Sequence, residues 1–235
     1  MAIAESMKQM ILEVKALAAK PLANDDDIRR VEIIMLKFKE EPAVIDKAIN
    51  RIIHNTDHPF KLTVFDNRPN NANTARIWNK LTYEATCRYV LIIDSDAFIP
   101  AQKLSPCWLT RMMESIDETG IVVPVSSSGG GAHQHVNGAE PYPSMVLNRD
   151  IWSGFCFLFD REKVWNPERF DERFYIYGQD SEWAHRTQRR FGGAVMRKDV
   201  FVEHIGGYSF KQDPIREADK LYARNLFQYL TRAKS

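Results

Sequence analysis

Three short apolar runs in the first hundred residues, separated by stretches of helical periodicity, constrain this chain more than any other feature. Val31-Glu32-Ile33-Ile34-Met35-Leu36, Lys61-Leu62-Thr63-Val64-Phe65 and Tyr89-Val90-Leu91-Ile92-Ile93 read as strands. Between them, Val44, Ile45, Ala48, Ile49, Ile52 and Ile53 follow Pro42 at helical intervals, and Ala75, Ile77, Trp78 and Leu81 do the same after Asn73. Strands alternating with helices predict an α/β fold, a mostly parallel sheet wound by right-handed crossovers and flanked by helices. In such sheets ligands bind beyond the carboxyl ends of the strands, where Lys37, Asp66, Asn67, Asp94 and Asp96 fall.

The third run ends abruptly in Asp94-Ser95-Asp96. Alternate side chains of an extended chain share a face, so both carboxylates can point into the space past the strand end. Paired carboxylates suit Mg²⁺ or Mn²⁺, hard cations that complete their shells with water and substrate phosphates. Taken alone, the same three residues also suit a simple turn.

The second half is less regular. A helix is expected around Leu109 to Ile116 and a strand over Ile121 to Val125. The stretch from Ser126 to Asp150, with its serine-glycine run, His133, His135 and Pro141-Tyr142-Pro143, reads as a loop and a candidate lid. His133 and His135 lack a third zinc ligand. From Phe170 to Arg190 the chain is aromatic, then acidic, then helical. Asp180 stands near the expected helix start, as either a cap or a base. Ile215, Ala218, Leu221, Tyr222, Leu226, Tyr229 and Leu230 trace one face of a C-terminal helix, and Met7, Met10, Ile11, Val14 and Leu17 one face of an N-terminal helix.

With 235 residues the chain can bury one sizeable core. A formal net charge of +1 lacks the basic footprint of nucleic-acid binding, so nucleic acid is not expected as a partner. Cys87, Cys107 and Cys156 form neither a zinc nor a disulfide pattern, which fits a reducing, cytoplasmic setting. No apolar stretch approaches the roughly 20 residues of a membrane-spanning helix, although peripheral membrane contact stays open.

Five blocks occur in order: Asp94-Ser95-Asp96, Gly154 in Trp-Ser-Gly-Phe, Phe170-Asp171-Glu172, Tyr177-Gly178-Gln179-Asp180, and His204-Ile205-Gly206-Gly207. Together they resemble a family 2 glycosyltransferase of the GT-A, or nucleotide-diphospho-sugar transferase, fold. The resemblance runs over about residues 31 to 210 and is more specific than any one block. It implies a catalytic domain over 31–212, preceded by an N-terminal helix and cap (1–30) and followed by a C-terminal helix (213–235) packed on it.

By position, Asp96 resembles the direct metal ligand and Asp94 the neighbour that holds the ribose or a metal-bound water. His204 resembles the residue that completes the metal site, for Mn²⁺ or Mg²⁺. Asp66 matches the aspartate that reads the nucleotide base, with Asn67 and Asn73 in the adjoining stretch. Asp180 resembles the general base. Trp152, Gly154, Tyr177, Gln179 and Trp183 fall on the acceptor side, and Gln179 stands where the family usually has glutamate. The resemblance implies transfer of a sugar from a nucleoside diphosphate donor, UDP-linked by the family's habit, to a glycan or other hydroxyl acceptor, with inversion and a place in polysaccharide synthesis. A retaining transferase and a non-catalytic sugar-binding module remain the alternatives. A nucleotidyltransferase fits less well, because Lys37-Phe38-Lys39-Glu40-Glu41 lacks the glycines of its phosphate loop.

Overall fold

The structure is a computed structural model that describes residues 11–12, 29–38, 40–68, 72–128, 133–206 and 214–232. In chain order its elements are β1 (Ile11–Leu12), β2 (Val31–Lys37), α1 (Pro42–Asn55), β3 (Phe60–Asp66), α2 (Thr74–Glu84), β4 (Tyr89–Asp94), β5 (Ala97–Phe98), α3 (Trp108–Met113) and α4 (Ile116–Thr119). There follow β6 (Ile121–Ser126), β7 (Met145–Asn148), β8 (Cys156–Asp160), a π-helical turn (Arg161–Trp165), α5 (Gln179–Phe191), β9 (Ala194–His204) and α6 (Pro214–Arg232).

The strands form a nine-stranded sheet in the order β1-β3-β2-β4-β8-β6-β9-β5, with β7 also paired to β9. β2 runs parallel to both β3 and β4, in a register that aligns Lys37 with Asp66 and Leu36 with Asp94. The three expected strands therefore end together. β8 then enters antiparallel between β4 and β6, and β6 pairs parallel with β9, which makes the whole sheet mixed.

Both faces of the sheet are covered, as its continuous apolar strands require. Tyr89, Leu91 and Ile93 of β4 join one core layer with Ala48 and Ile52 of α1 and Trp108, Leu109 and Met112 of α3. Val90 and Ile92 point the other way, into a layer with Ile77, Trp78 and Leu81 of α2 and Trp183 and Ala184 of α5. Strand alternation sorts these side chains into two layers.

Several expectations are corrected. Ile11 and Leu12 lie in a short strand antiparallel to β3, so the helix expected over Met7 to Leu17 does not hold there; its other residues lie outside the described ones. Beyond Pro42–Asn55 and Thr74–Glu84, the helix expected around Leu109 to Ile116 is two helices, broken at Ser115, and Gly120 ends the second at φ 84°. The stretch from Ser126 to Asp150 is not one loop. It contains β7, and buried Gln134 ties it down by donating to the Pro124 carbonyl (3.0 Å) and accepting from the Ser153 N–H (2.8 Å). β9 hides behind its charges: its register with β6 slips after Pro124, and buried Arg197 pairs there with Asp199 at 2.7 Å.

Candidate active site

A pocket of about 250 Å³ opens past the ends of β2 and β4. Asp94, Asp96 and His204 line it on one side, and Tyr177, Gly178, Gln179 and Asp180 on another. Backbone pairing brings the first three together. Ala97, one residue beyond Asp96, pairs with His204 across β5 and β9, and the Ile205 N–H donates to the Asp96 carbonyl at 3.2 Å.

The resulting cluster is tight. His204 Nε2 stands 3.3 Å from Asp96 Oδ1 and 3.8 Å from Asp94 Oδ2, and one ligand atom from each residue lies within 4.8 Å of the others. Its Nδ1 faces the Ser128 carbonyl at 3.2 Å and must carry a proton there, so Nε2 is the nitrogen turned to the carboxylates. The Phe155 ring stacks on the imidazole with centroids 4.9 Å apart. A lone pair on Nε2 facing two carboxylates calls for positive charge between them, either a proton or a cation.

The electrostatics agree. Burial alone would lower the His204 pKa, but the hydrogen bond to Asp96 and the charge of Asp94 outweigh it and hold the imidazole above its ordinary value. Asp94 keeps 43% of its side chain open to the pocket, yet dense surrounding protein and then the Asp96 charge push its carboxyl well above the usual range. Two carboxylates and an imidazole suit Mn²⁺ or Mg²⁺, with imidazole favouring the former. Among the described residues this is the group of three whose spacing suits a metal ion.

Asp180 sits in the first turn of α5, which begins after Gly178 at φ 81°. Its Oδ2 accepts from the Gly154 N–H and its Oδ1 from the Ser181 N–H, both at 2.8 Å. A Cβ on Gly154 would lie 2.5 Å from Asp180 Cβ, so glycine is what lets the carboxylate rest on that backbone. Gln179 is 6% exposed, and its buried Oε1 has no hydrogen-bond partner.

Other expected site residues are placed elsewhere. Trp152 and Trp183 are 2% and 0% exposed and meet edge to face at 6.0 Å in the aromatic core, so neither lines the pocket. Their size and apolarity favoured burial over stacking on a sugar. Asn73 caps α2 by accepting from the Arg76 N–H and donates to the Glu172 carbonyl at 2.8 Å, and it is not among the residues that line the pocket. Asp66 stands at the end of β3, outside the pocket wall, where the Arg68 guanidinium engages it and lowers its pKa. Asn67 lines the pocket, with its amide exchanging hydrogen bonds with Ala72. Phe155, Glu40 and Trp78 are pocket residues that the sequence did not single out. Phe155 adjoins Gly154 in a block already noticed; Glu40 and Trp78 carried no such signal.

The sequence matches no protein-family model and no curated protein. Solved structures do match. GalNAc-T7, solved with UDP, GalNAc and Mn²⁺, superposes with a TM-score of 0.58 at 12% identity over 80% of this chain. A Pyrobaculum calidifontis mannosyltransferase, PcManGT, solved with GDP-Man and Mn²⁺, gives 0.53 at 19% over 82%. S. aureus TarS gives 0.52 at 15% over 77%. The fold is GT-A. This GT-A chain spans 47% of the matched GalNAc-T7 chain and 62% of each of the other two, about half to three fifths of their length. Within the GT-A framework, the Asp94–Asp96–His204 group lies at the carboxyl end of the parallel strands, where α/β sheets hold their ligands.

Proposed function

We propose that the protein is a metal-dependent glycosyltransferase that moves a sugar from a nucleoside diphosphate donor, UDP-linked in the first instance, to a hydroxyl of a glycan or other acceptor with inversion. The observation that carries this reading is one pocket with a three-ligand cation group on one wall and Asp180 on another. Two matched structures were solved with both a nucleotide or nucleotide sugar and Mn²⁺, in keeping with the donor class.

Asp94, Asp96 and His204 would hold the cation, which when bound supplies Lewis-acid stabilisation to the departing diphosphate. Asp180, oriented by Gly154 and Ser181, accepts the proton of the attacking hydroxyl as the new bond forms. Gln179 lines the pocket beside Asp180. An amide in place of a carboxylate leaves Asp180 as the acidic group of its motif and keeps proton removal with it.

Donor turnover tests the reading: release of UDP, GDP or dTDP from a panel of their sugars, with and without Mn²⁺ and over a range of hydroxyl acceptors. Metal-dependent release that rises with acceptor supports it. Nucleotide-sugar binding without release under any condition would instead favour a binding module, and proton NMR of the first-formed product separates inversion from retention. With three buried free thiols and no described helix long and apolar enough to cross a membrane, we place the protein in the cytoplasm with its donor. Cell fractionation into soluble and membrane fractions checks this.

A further inference from the structure

The segment that delivers Tyr177 and Gly178 to Asp180 has no ladder of its own and is held from two sides. On the donor side, the Thr74 N–H at the start of α2 donates to the Tyr175 carbonyl at 2.8 Å. On the other side stands α6. One carboxylate oxygen of Asp219 accepts from the Ile176 N–H (3.2 Å) and the Tyr177 N–H (3.0 Å). Lys220 lies 5.3 Å from the centroid of the Tyr177 ring. One turn along α6 from Asp219, Ala223 leaves so little room that a Cβ on Gly178 would come within 3.2 Å of its own. Ile176, Tyr177 and Gly178 all line the pocket, and Gly178 is where the chain enters α5.

We propose that Asp219 is a positioning residue of the acceptor side: by fixing two successive backbone amides it sets where Gly178 hands the chain to α5, and so where Asp180 stands. It belongs neither to the residues that line the pocket nor to the metal group. Its kinetic consequence rests on the glycosyltransferase reading; its structural consequence does not. A displacement of the base by an ångström is enough to slow a reaction on the order of 10²-fold. A residue that only fastened α6 to the body would leave the base where it is.

The test compares wild type, Asp219→Asn and Asp219→Ala in the full chain. Amide hydrogen exchange at Ile176 and Tyr177 should rise from wild type through Asn, whose amide oxygen is a weaker acceptor, to Ala, which has none. Where wild type turns over, kcat should fall in the same order, by roughly 10- to 100-fold in Ala, while UDP titrated with Mn²⁺ binds all three alike. Unchanged exchange at the two amides overturns the proposal. So does faster exchange with unchanged kcat, or nucleotide affinity falling in step with kcat. Should Asp219→Ala not fold, the intermediate effect in Asp219→Asn carries the same decision. If wild type transfers no sugar, the functional reading fails on that result, while the exchange order still upholds or overturns the hold of Asp219 on the loop.

Discussion

The two walls of the pocket are built in different ways. The wall proposed for metal and donor comes from strand ends: β2, β3 and β4 run parallel in near-aligned register, and the Asp94 group extends directly from a buried strand. The wall proposed for the acceptor is assembled from pieces far apart in the chain, with Asp180 resting on Gly154, Tyr175 on Thr74, and Tyr177 on Asp219. A strand end is fixed by the sheet, whereas a loop held by a few hydrogen bonds is only as well placed as its most distant partner. Metal and donor binding should therefore tolerate changes that ruin transfer.

Asp180→Asn pushes on that contrast hardest. It should slow transfer on the order of 10²- to 10⁴-fold and leave Mn²⁺-dependent nucleotide binding at the wild-type level, as read by steady-state turnover beside calorimetric titration. Loss of nucleotide binding in this variant would erase the division between the walls. Gly154→Ala comes next. Its new Cβ meets Asp180 Cβ, an atom that cannot swing away, so Asp180, the proposed base, must shift and turnover should drop on the order of 10²-fold with donor affinity retained.

Trp183→Ala probes stability. Removal of this fully buried indole should destabilise the fold by about 3–5 kcal/mol in urea unfolding. A core role predicts that effect without a selective rise in acceptor KM; a selective rise would return Trp183 to the acceptor wall.

The smallest effect concerns acid. Burial would raise the Glu168 pKa, but hydrogen bonds from Arg190 and Arg186 outweigh it and hold the carboxyl below its ordinary 4.5. The folded pKa is thus depressed, so its stabilisation is complete above pH 4.5 and fades as pH falls through the folded value. Exchange from α5 should rise in that window before exchange from β4 does, and Glu168→Gln should flatten the difference. Equal acid response in wild type and Glu168→Gln would remove this ion pair from the account.

The same contrast explains what could be read from the sequence. Apolar runs and helical spacing located β2, α1, β3, α2 and β4, because burial on both sheet faces writes a continuous pattern into the chain. The D-x-D pair and Asp180 were legible as carboxylates at element boundaries, and His204 through the order of the blocks. β9 was not, since buried Arg197 and Asp199 interrupt its apolar pattern while neutralising each other. Trp152 and Trp183 carried the right chemistry for a sugar but lie in the core, a distinction only packing makes. Asp219 left no local trace at all, because its partners are two amides of a distant loop.

The most direct measurement is titration of UDP with Mn²⁺ into wild type, Asp96→Ala and Asp180→Asn, followed by calorimetry and by the Mn²⁺ paramagnetic resonance signal. Two separately built walls around one cation site predict binding that is lost in Asp96→Ala and intact in Asp180→Asn. Wild-type binding in Asp96→Ala, or equal loss in both variants, would contradict it.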